Sequence, residues 1–304
     1  MLKPISRILH SLLILIFIGA WGSVVYYSKA APDDTVAARP ALAAFSSTPT
    51  PAATRTAILT PAPNLAATVE ASIPDGDWSR LQPGLERRVI QIYDDKNQHV
   101  ESLYLWRLDQ NHFRLDVAFD AKPKTLETWQ KETNAGLVVN GGYFSINNER
   151  YSADGLLIVN GKATGRSFYG YGGMLVIDRS GAELRWLVQK PYNSHEQLQA
   201  ALQAFPMLVK PGGELGFPAT RENHARARRT VIAQDKDGRI LFIVAPQGYF
   251  TLHQLSAYLT DSDLNLDLAI NLDGGGSTGV LVADPREVIS SKVLLPFVIL
   301  VYAR

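Results

Sequence analysis

Ala269-Ile270-Asn271-Leu272-Asp273-Gly274-Gly275-Gly276-Ser277-Thr278-Gly279 is the stretch on which the reading of this chain turns. The apolar run Leu268–Leu272 reads as a buried strand, and it ends in an acid, three glycines and two hydroxyls. Glycine takes positive φ and lets a ligand approach the backbone closely. Successive N–H groups in such a turn can form an anion-binding nest. Asp273, at the strand end, is placed to act as a base or a nucleophile. The same residues also suit a glycine-rich hairpin whose aspartate caps its own loop. The lysine and spacing of a phosphate-binding P-loop are absent, which disfavours nucleotide hydrolysis.

Around this stretch the chain alternates short strand patterns with a few helices. Phe113, Leu115, Val117 and Phe119 alternate as a half-buried strand requires. Similar runs occur at 88–93, 102–107, 137–139, 156–159, 174–178, 184–188, 230–233, 240–244 and 280–282. The apolar tail 293–302 is short and contains Pro296, so it reads as a buried strand. Three helices are expected. Thr125 caps the first, which runs to about Thr133 with Gly136 near its end. Ser194 with Gln197 and Thr251 with Gln254 make capping-box patterns before the other two. The expected fold is a strand-rich, mixed α+β single domain over residues 76–304.

The chain has 304 residues, with 30 Lys and Arg against 29 Asp and Glu, a net charge of +1. That balance argues against a nucleic-acid partner. No cysteine is present, which excludes disulfides, thiolate metal sites and cysteine nucleophiles. At the N-terminus, Lys3 and Arg7 precede the uncharged run Ile8–Tyr27, about 20 residues and ~30 Å as a helix, enough to cross a bilayer. Residues 1–30 are therefore expected to be a transmembrane anchor, or a signal peptide cleaved near Ala30. Either form exports the rest of the chain to the periplasmic or extracellular side. Residues 31–75, rich in Ala, Pro, Thr and Ser, read as an extended disordered linker.

Two further motifs stand out. Val138-Val139-Asn140-Gly141-Gly142-Tyr143-Phe144 runs a strand into Asn-Gly-Gly and two aromatics. Asn140 suits the orientation of a hydroxyl or a water, and Tyr143 or Phe144 the face of a sugar; Asn-Gly is equally a tight-turn dipeptide. Arg226-Ala227-Arg228-Arg229-Thr230 leads into a strand. Arginine forks bind phosphate bidentately. Alternation puts Arg226 and Arg228 on one face and Arg229 on the other, and a solvated basic edge is the plain alternative. His224 reads as a surface residue.

Taken together, Asn140-Gly141-Gly142-Tyr143-Phe144, Arg229-Thr230 and Asn271-Leu272-Asp273-Gly274-Gly275-Gly276-Ser277 resemble the signature blocks of the phosphodiester glycosidase family. Asp154-Gly155-Leu156, Asn160-Gly161 and Phe205-Pro206-Met207-Leu208-Val209 resemble its connecting segments. The resemblance spans roughly residues 87–304. It departs at Tyr143, where the family often has Phe, at Arg228, where Pro commonly stands, and at Ala233, where Gly is usual.

This resemblance implies hydrolysis of a sugar-1-phosphodiester at the anomeric carbon. No HExxH motif or regular His/Asp cluster is present, so no metal or other cofactor is required; a cation held by Asp273 and backbone carbonyls is an open addition. The leaving group is a phosphate monoester, already stable as an anion, so a strong general acid is less necessary than in ordinary glycoside hydrolysis. What the site needs is donors that hold phosphate and one carboxylate that activates water or attacks the sugar. Asp273 suits the carboxylate role and Arg229, with Arg228, the phosphate. Asn140 with Ser277 or Thr278 orients sugar or water, and the Gly274, Gly275 and Gly276 backbone assists. Gly141, Gly142, Tyr143, Thr230 and Asp154 complete the substrate-binding set, with Asp154 and Glu214 as reserve acids. The competing readings are an ordinary glycosidase or phosphodiesterase on the same scaffold, and a non-catalytic glycan-binding or exopolysaccharide-assembly protein.

Overall fold

The computed structural model describes residues 76–148, 150–168 and 172–304. The expected anchor or signal (1–30) and linker (31–75) lie outside the described residues. The chain divides into two units, and the described residues all fall in the second, Pro61–Arg304. Among the described residues, no helix is long and apolar enough to cross a membrane.

Central strands that are apolar on both faces set the layering. In Ile240–Ala245, Ile240, Phe242 and Val244 enter one hydrophobic cluster, while Leu241, Ile243 and Ala245 enter another. Leu295–Ala303 divides the same way: Phe297, Ile299 and Val301 point inward, Val298 and Leu300 outward. Such strands must be covered twice, so sheets meet on one side and a helix or a further layer closes the other.

Three antiparallel sheets share the inner cluster. The largest runs Ser79–Gln82, Leu85–Tyr93, His99–Leu108, Ile240–Ala245, Arg229–Asp235, Leu266–Asn271, Met207–Lys210, Glu214–Leu215. The second runs Ala182–Trp186, Gly173–Ile177, Ala200–Ala204, Leu157–Val159, Lys162–Thr164. The third runs Glu287–Ile289, Val280–Val282, Leu137–Asn140, Leu295–Ala303, Phe113–Lys124. Trp106 and Phe242 sit opposite each other on neighbouring strands, both with no exposed surface. Truncating either to alanine costs about 3–5 kcal/mol.

Helix Leu126–Thr133 covers the outer face of the third sheet through Leu126 and Trp129. The Thr125 side chain caps it as expected, accepting the Thr128 N–H. It ends at Thr133 as expected, and Asn134, at φ 54, takes the left-handed cap position, two residues before Gly136. Asparagine tolerates that region because its short polar side chain bonds locally. Helix Leu252–Asp261 covers the outer face of the largest sheet, and Thr251 with Gln254 forms the full capping box.

The helix expected after Ser194 does not form, so the fold has two α-helices and one short 3-10 turn among the described residues. Ala200–Ala204 is a strand in the middle of the second sheet. Ala200, Leu202 and Ala204 join the inner cluster while Ala201 joins the outer one. The period is two, and the helix-like spacing of Leu198, Ala201, Leu202 and Phe205 is incidental. Ser194 caps nothing here: the turn before the strand is held by Asn193 Oδ1 accepting the His195 N–H, with Glu196 paired to Arg185.

Register brings the signature blocks to one end of the sheets. Arg229–Asp235 pairs antiparallel with Leu266–Asn271, with Val231 opposite Asn271. The start of one strand therefore lies beside the end of the other. The Leu272 N–H donates to Thr230 O at 2.8 Å, and the Asp273 N–H to Gly141 O at 3.2 Å, where strand Leu137–Asn140 ends.

Candidate active site

Asn140 is the joint of this site. It has no exposed surface, and its amide makes four hydrogen bonds to protein. Oδ1 accepts from Thr230 Oγ1 at 2.8 Å and from the Gly279 N–H at 3.0 Å. Nδ2 donates to Asp273 O at 2.8 Å and Gly141 O at 3.1 Å. That is the full capacity of an amide side chain. One buried side chain thus ties all three signature blocks together, while its own polar atoms are engaged within the protein.

The glycines divide by what surrounds them. A Cβ on Gly141 would lie 2.3 Å from the Phe297 ring, and one on Gly142 3.1 Å from Gln203 O. Both are small because neighbouring strands press on them. A Cβ on Gly274 would meet Arg228 O at 2.7 Å. Gly275 has φ +58 and open space where a Cβ would project. The expected row of free N–H groups is largely engaged: Gly274 N–H bonds Asp273 Oδ1 at 2.8 Å, and Gly275 N–H bonds Arg228 O at 2.8 Å. Of the two readings of the loop, the aspartate-capped turn is therefore present. The Gly276 N–H has no such bond among the described residues.

Asp273 is partly buried at the mouth of this loop, bonded to the Ser277 hydroxyl and the Gly274 N–H. Burial pushes its carboxyl above the usual carboxylate range, and the charge of Asp154 adds to that; the two hydrogen bonds oppose it. Asp154 is half-buried, accepts the Ser145 hydroxyl at 2.6 Å and donates its N–H to Tyr143 O. Ser277 and Thr278 are both buried, and Thr278 Oγ1 has no hydrogen-bond partner.

Arg228 and Arg229 are held by carbonyls. Strand Arg229–Asp235 begins only at Arg229, so the expected face-to-face alternation from Arg226 does not apply. Arg226 stacks on the Tyr249 ring instead. Arg228 donates from Nε to Pro246 O and from Nη2 to Ser290 O, both at 3.0 Å, and its Nη1 is buried with no partner. Arg229 is 7% exposed and donates to Phe250 O and Ala225 O. Burial lowers both guanidinium values; Glu101 opposes this at Arg228, Tyr143 and Glu222 at Arg229. Neither arginine is in an ion pair among the described residues. Two desolvated cations bonded to neutral acceptors make a setting that favours an anion.

Tyr143 accepts the Asp154 N–H through its carbonyl and acts electrostatically on Arg229. Its ring stacks on Phe205 at 4.6 Å, and Asn271 Nδ2 lies 2.5 Å from its hydroxyl. One ring face is therefore covered by protein. Asn271 has no exposed surface, and its Oδ1 has no partner.

Sequence reasoning missed several supporting groups. Glu101, with no exposed surface, accepts the N–H groups of Ser102, Gln247, Gly248 and Tyr249, and so shapes the loop whose Pro246 carbonyl holds Arg228. A lone glutamate in a strand carries no local signal of such partners. Glu222 does the same for Asn223, His224 and His253. Glu214 is exposed in a two-residue strand, and His224 is exposed at φ 59, in line with its surface reading. Among the described residues no group of three or more His, Asp or Glu is arranged to hold a metal ion.

Comparison with known proteins gives one family and solved structures of similar fold. The family model described as phosphodiester glycosidase matches residues 133–300, more than half of the chain. The catalytic domain of zebrafish N-acetylglucosamine-1-phosphodiester alpha-N-acetylglucosaminidase, auto-inhibited by its pro-peptide, superposes with a TM-score of 0.59 at 18% identity, covering 73% of this chain and 85% of that one. A hypothetical protein from Synechocystis superposes with a TM-score of 0.54 at 14% identity, covering 77% of this chain and 65% of that one. These likenesses establish the fold. No curated protein matches by sequence.

Proposed function

The chain belongs to the phosphodiester glycosidase family of hydrolases, and we propose that it cleaves the anomeric C–O bond of a sugar-1-phosphodiester from the cell envelope or the extracellular space. The observation that carries this reading is a buried arginine, Arg229, and a half-buried one, Arg228, both hydrogen-bonded to carbonyls, at the start of a strand that adjoins the loop of a half-buried carboxylate.

In this reading the phosphodiester lies toward Arg229 and Arg228 Nη1, and the sugar toward Asp273. A water attacks the anomeric carbon as Asp273 takes its proton. The C1–O bond breaks, and the phosphate monoester leaves with the bonding electrons. Two guanidiniums stabilise the charge that develops on that oxygen, and a water-poor setting strengthens them. A base with raised affinity for the proton is better matched to this task than an ordinary aspartate. Asn140 acts here as a positioning residue through the Asp273 carbonyl, rather than as a group that touches substrate. Ser277 and the Gly274 N–H orient the carboxylate. Residues 1–30 export the domain and, if retained, tether it to the membrane through residues 8–27.

The test is the release of free sugar from a panel of sugar-1-phosphodiesters by the full chain, with Asp273→Asn beside it. Release by the wild type and not by the variant supports the reading. A folded wild type that binds these compounds without turnover overturns it.

A further inference from the structure

The loop between strand Glu287–Ile289 and strand Leu295–Ala303 borders two parts of the site. Ser290 O accepts from Arg228 Nη2 at 3.0 Å, and the Lys292 N–H donates to Gly276 O at 2.7 Å. Val293 lies against the glycine loop: a Cβ on Gly276 would be 3.2 Å from Val293 Cγ1. The Ser291 hydroxyl donates to Val293 O at 2.9 Å. Residues 290–294 are therefore held in place, and they bridge Arg228 and the loop that follows Asp273.

Two of the side chains this loop shows to solvent are large and apolar. Val293 is 44% exposed and Leu294 50%. Among the described residues, the other exposed large apolar side chains stand singly in the sequence, whereas these two are neighbours. Single ones are ordinary on a protein surface; an adjoining pair on a fixed loop beside a candidate site marks a contact surface. Residues 288–295 contain no acid, and Lys292 carries their one charge. The loop thus sets a cation and apolar surface next to an arginine whose Nη1 is buried with no partner. An anionic head joined to an apolar chain matches that order of groups. A polar alcohol would instead lose water against Val293 and Leu294 with no hydrogen bond in return.

We propose that residues 290–294 form the subsite for the alcohol half of the diester, and that this alcohol is a long-chain, apolar one. The assignment of sugar and alcohol to their sides rests on the hydrolase reading above; the preference for an apolar chain is a property of the surface itself. The sugar lies toward Asp273. The other ester oxygen leads from the phosphate at Arg228 past Ser290 to Val293 and Leu294, which cover the first methylenes of the chain. The phosphate monoester that leaves is then a long-chain alkyl phosphate.

Binding of the leaving group tests this without turnover. The full chain, in nanodiscs, is titrated calorimetrically with methyl phosphate and with hexyl phosphate. Hexyl phosphate is expected to bind about 10- to 100-fold more tightly, from methylenes covered on one side. The double variant Val293→Ser, Leu294→Ser brings that ratio close to one and leaves the affinity for methyl phosphate unchanged. Uptake of hexyl phosphate by lipid is the same with both proteins, so it cannot produce the difference. Equal affinities of the two phosphates for the wild type, or no binding of either, overturn the proposal. So does a preference retained in the double variant; retained together with a changed oligomeric state, it would assign the apolar pair to a second copy of the chain. Failure of the hydrolase reading appears separately, as a wild type that releases no sugar from methyl or hexyl diesters while the binding preference persists.

Discussion

Thr230 Oγ1 donates to Asn140 Oδ1 at 2.8 Å across 90 positions of sequence. Both residues are fully buried, and the same amide holds Asp273 O at 2.8 Å. The site therefore depends on a polar joint inside the protein, and its loss leaves several buried groups without partners. Asn140→Ala strands the Thr230 hydroxyl, the Gly279 N–H and the Asp273 carbonyl, and we expect a loss of about 2–4 kcal/mol. Thr230→Val strands one acceptor site and loses about 1–2 kcal/mol. Urea unfolding of the two variants and the wild type checks the order.

Asp273→Asn is expected to reduce turnover by about 10²–10⁴-fold, the range for loss of a positioned base. Its effect on stability has the opposite sign. The Asp273 carboxyl binds its proton more tightly in the folded state than in the unfolded chain. Its contribution is therefore most favourable below the unfolded carboxylate range and is lost as pH rises through the folded value. At neutral pH the variant should melt higher than the wild type, by about 2–4 °C for each kcal/mol recovered. The gain should vanish in acid. Thermal melts across pH read both limbs, and a variant less stable at neutral pH contradicts the buried-charge account.

Arg229→Lys keeps the charge but removes the fork that reaches Phe250 O and Ala225 O. We expect kcat/KM to fall by about 10²–10³-fold, as when an oriented donor to developing charge is removed. Arg228→Lys should lower it as well, because Nη1 is the atom left without a protein partner. Steady-state kinetics on the same diester measures both.

Gly141→Ala forces a methyl into the Phe297 ring and should cost about 1–3 kcal/mol, the usual penalty for overpacking. Phe297→Leu in the same chain should return part of that loss. Gly275→Ala meets no neighbour, but its φ of +58 should still cost about 1–2 kcal/mol. Thermal unfolding of these variants separates the two reasons for glycine in the signature blocks.

Much of the fold was legible because its core strands are nearly continuous apolar runs. Leu137–Asn140, Ile240–Ala245 and Leu266–Asn271 all fall where their β-branched residues indicate. Both capped helices were legible from Thr125 and Thr251, whose side chains bond within one turn. Ala200–Ala204 was not, because Ala and Leu suit helix and strand equally and its partner strands are distant in sequence. The same limit applies to the site. Asp273 and Asn140 stand out beside glycines and Arg229 in a run of arginines, but whether Asn140 faces substrate or protein depends on Thr230 and Gly279, which only the fold brings to it. Glu101 could not be found at all from its neighbours, since the loop N–H groups it accepts lie at 247–249.

The central claim is that the bond broken is the one between the anomeric carbon and the phosphate oxygen. Hydrolysis of a sugar-1-phosphodiester by the full chain in ¹⁸O-labelled water reads it directly by mass spectrometry of the two products. The account predicts the label in the free sugar and none in the phosphate monoester. Label in the phosphate monoester would mean attack at phosphorus, and would contradict it.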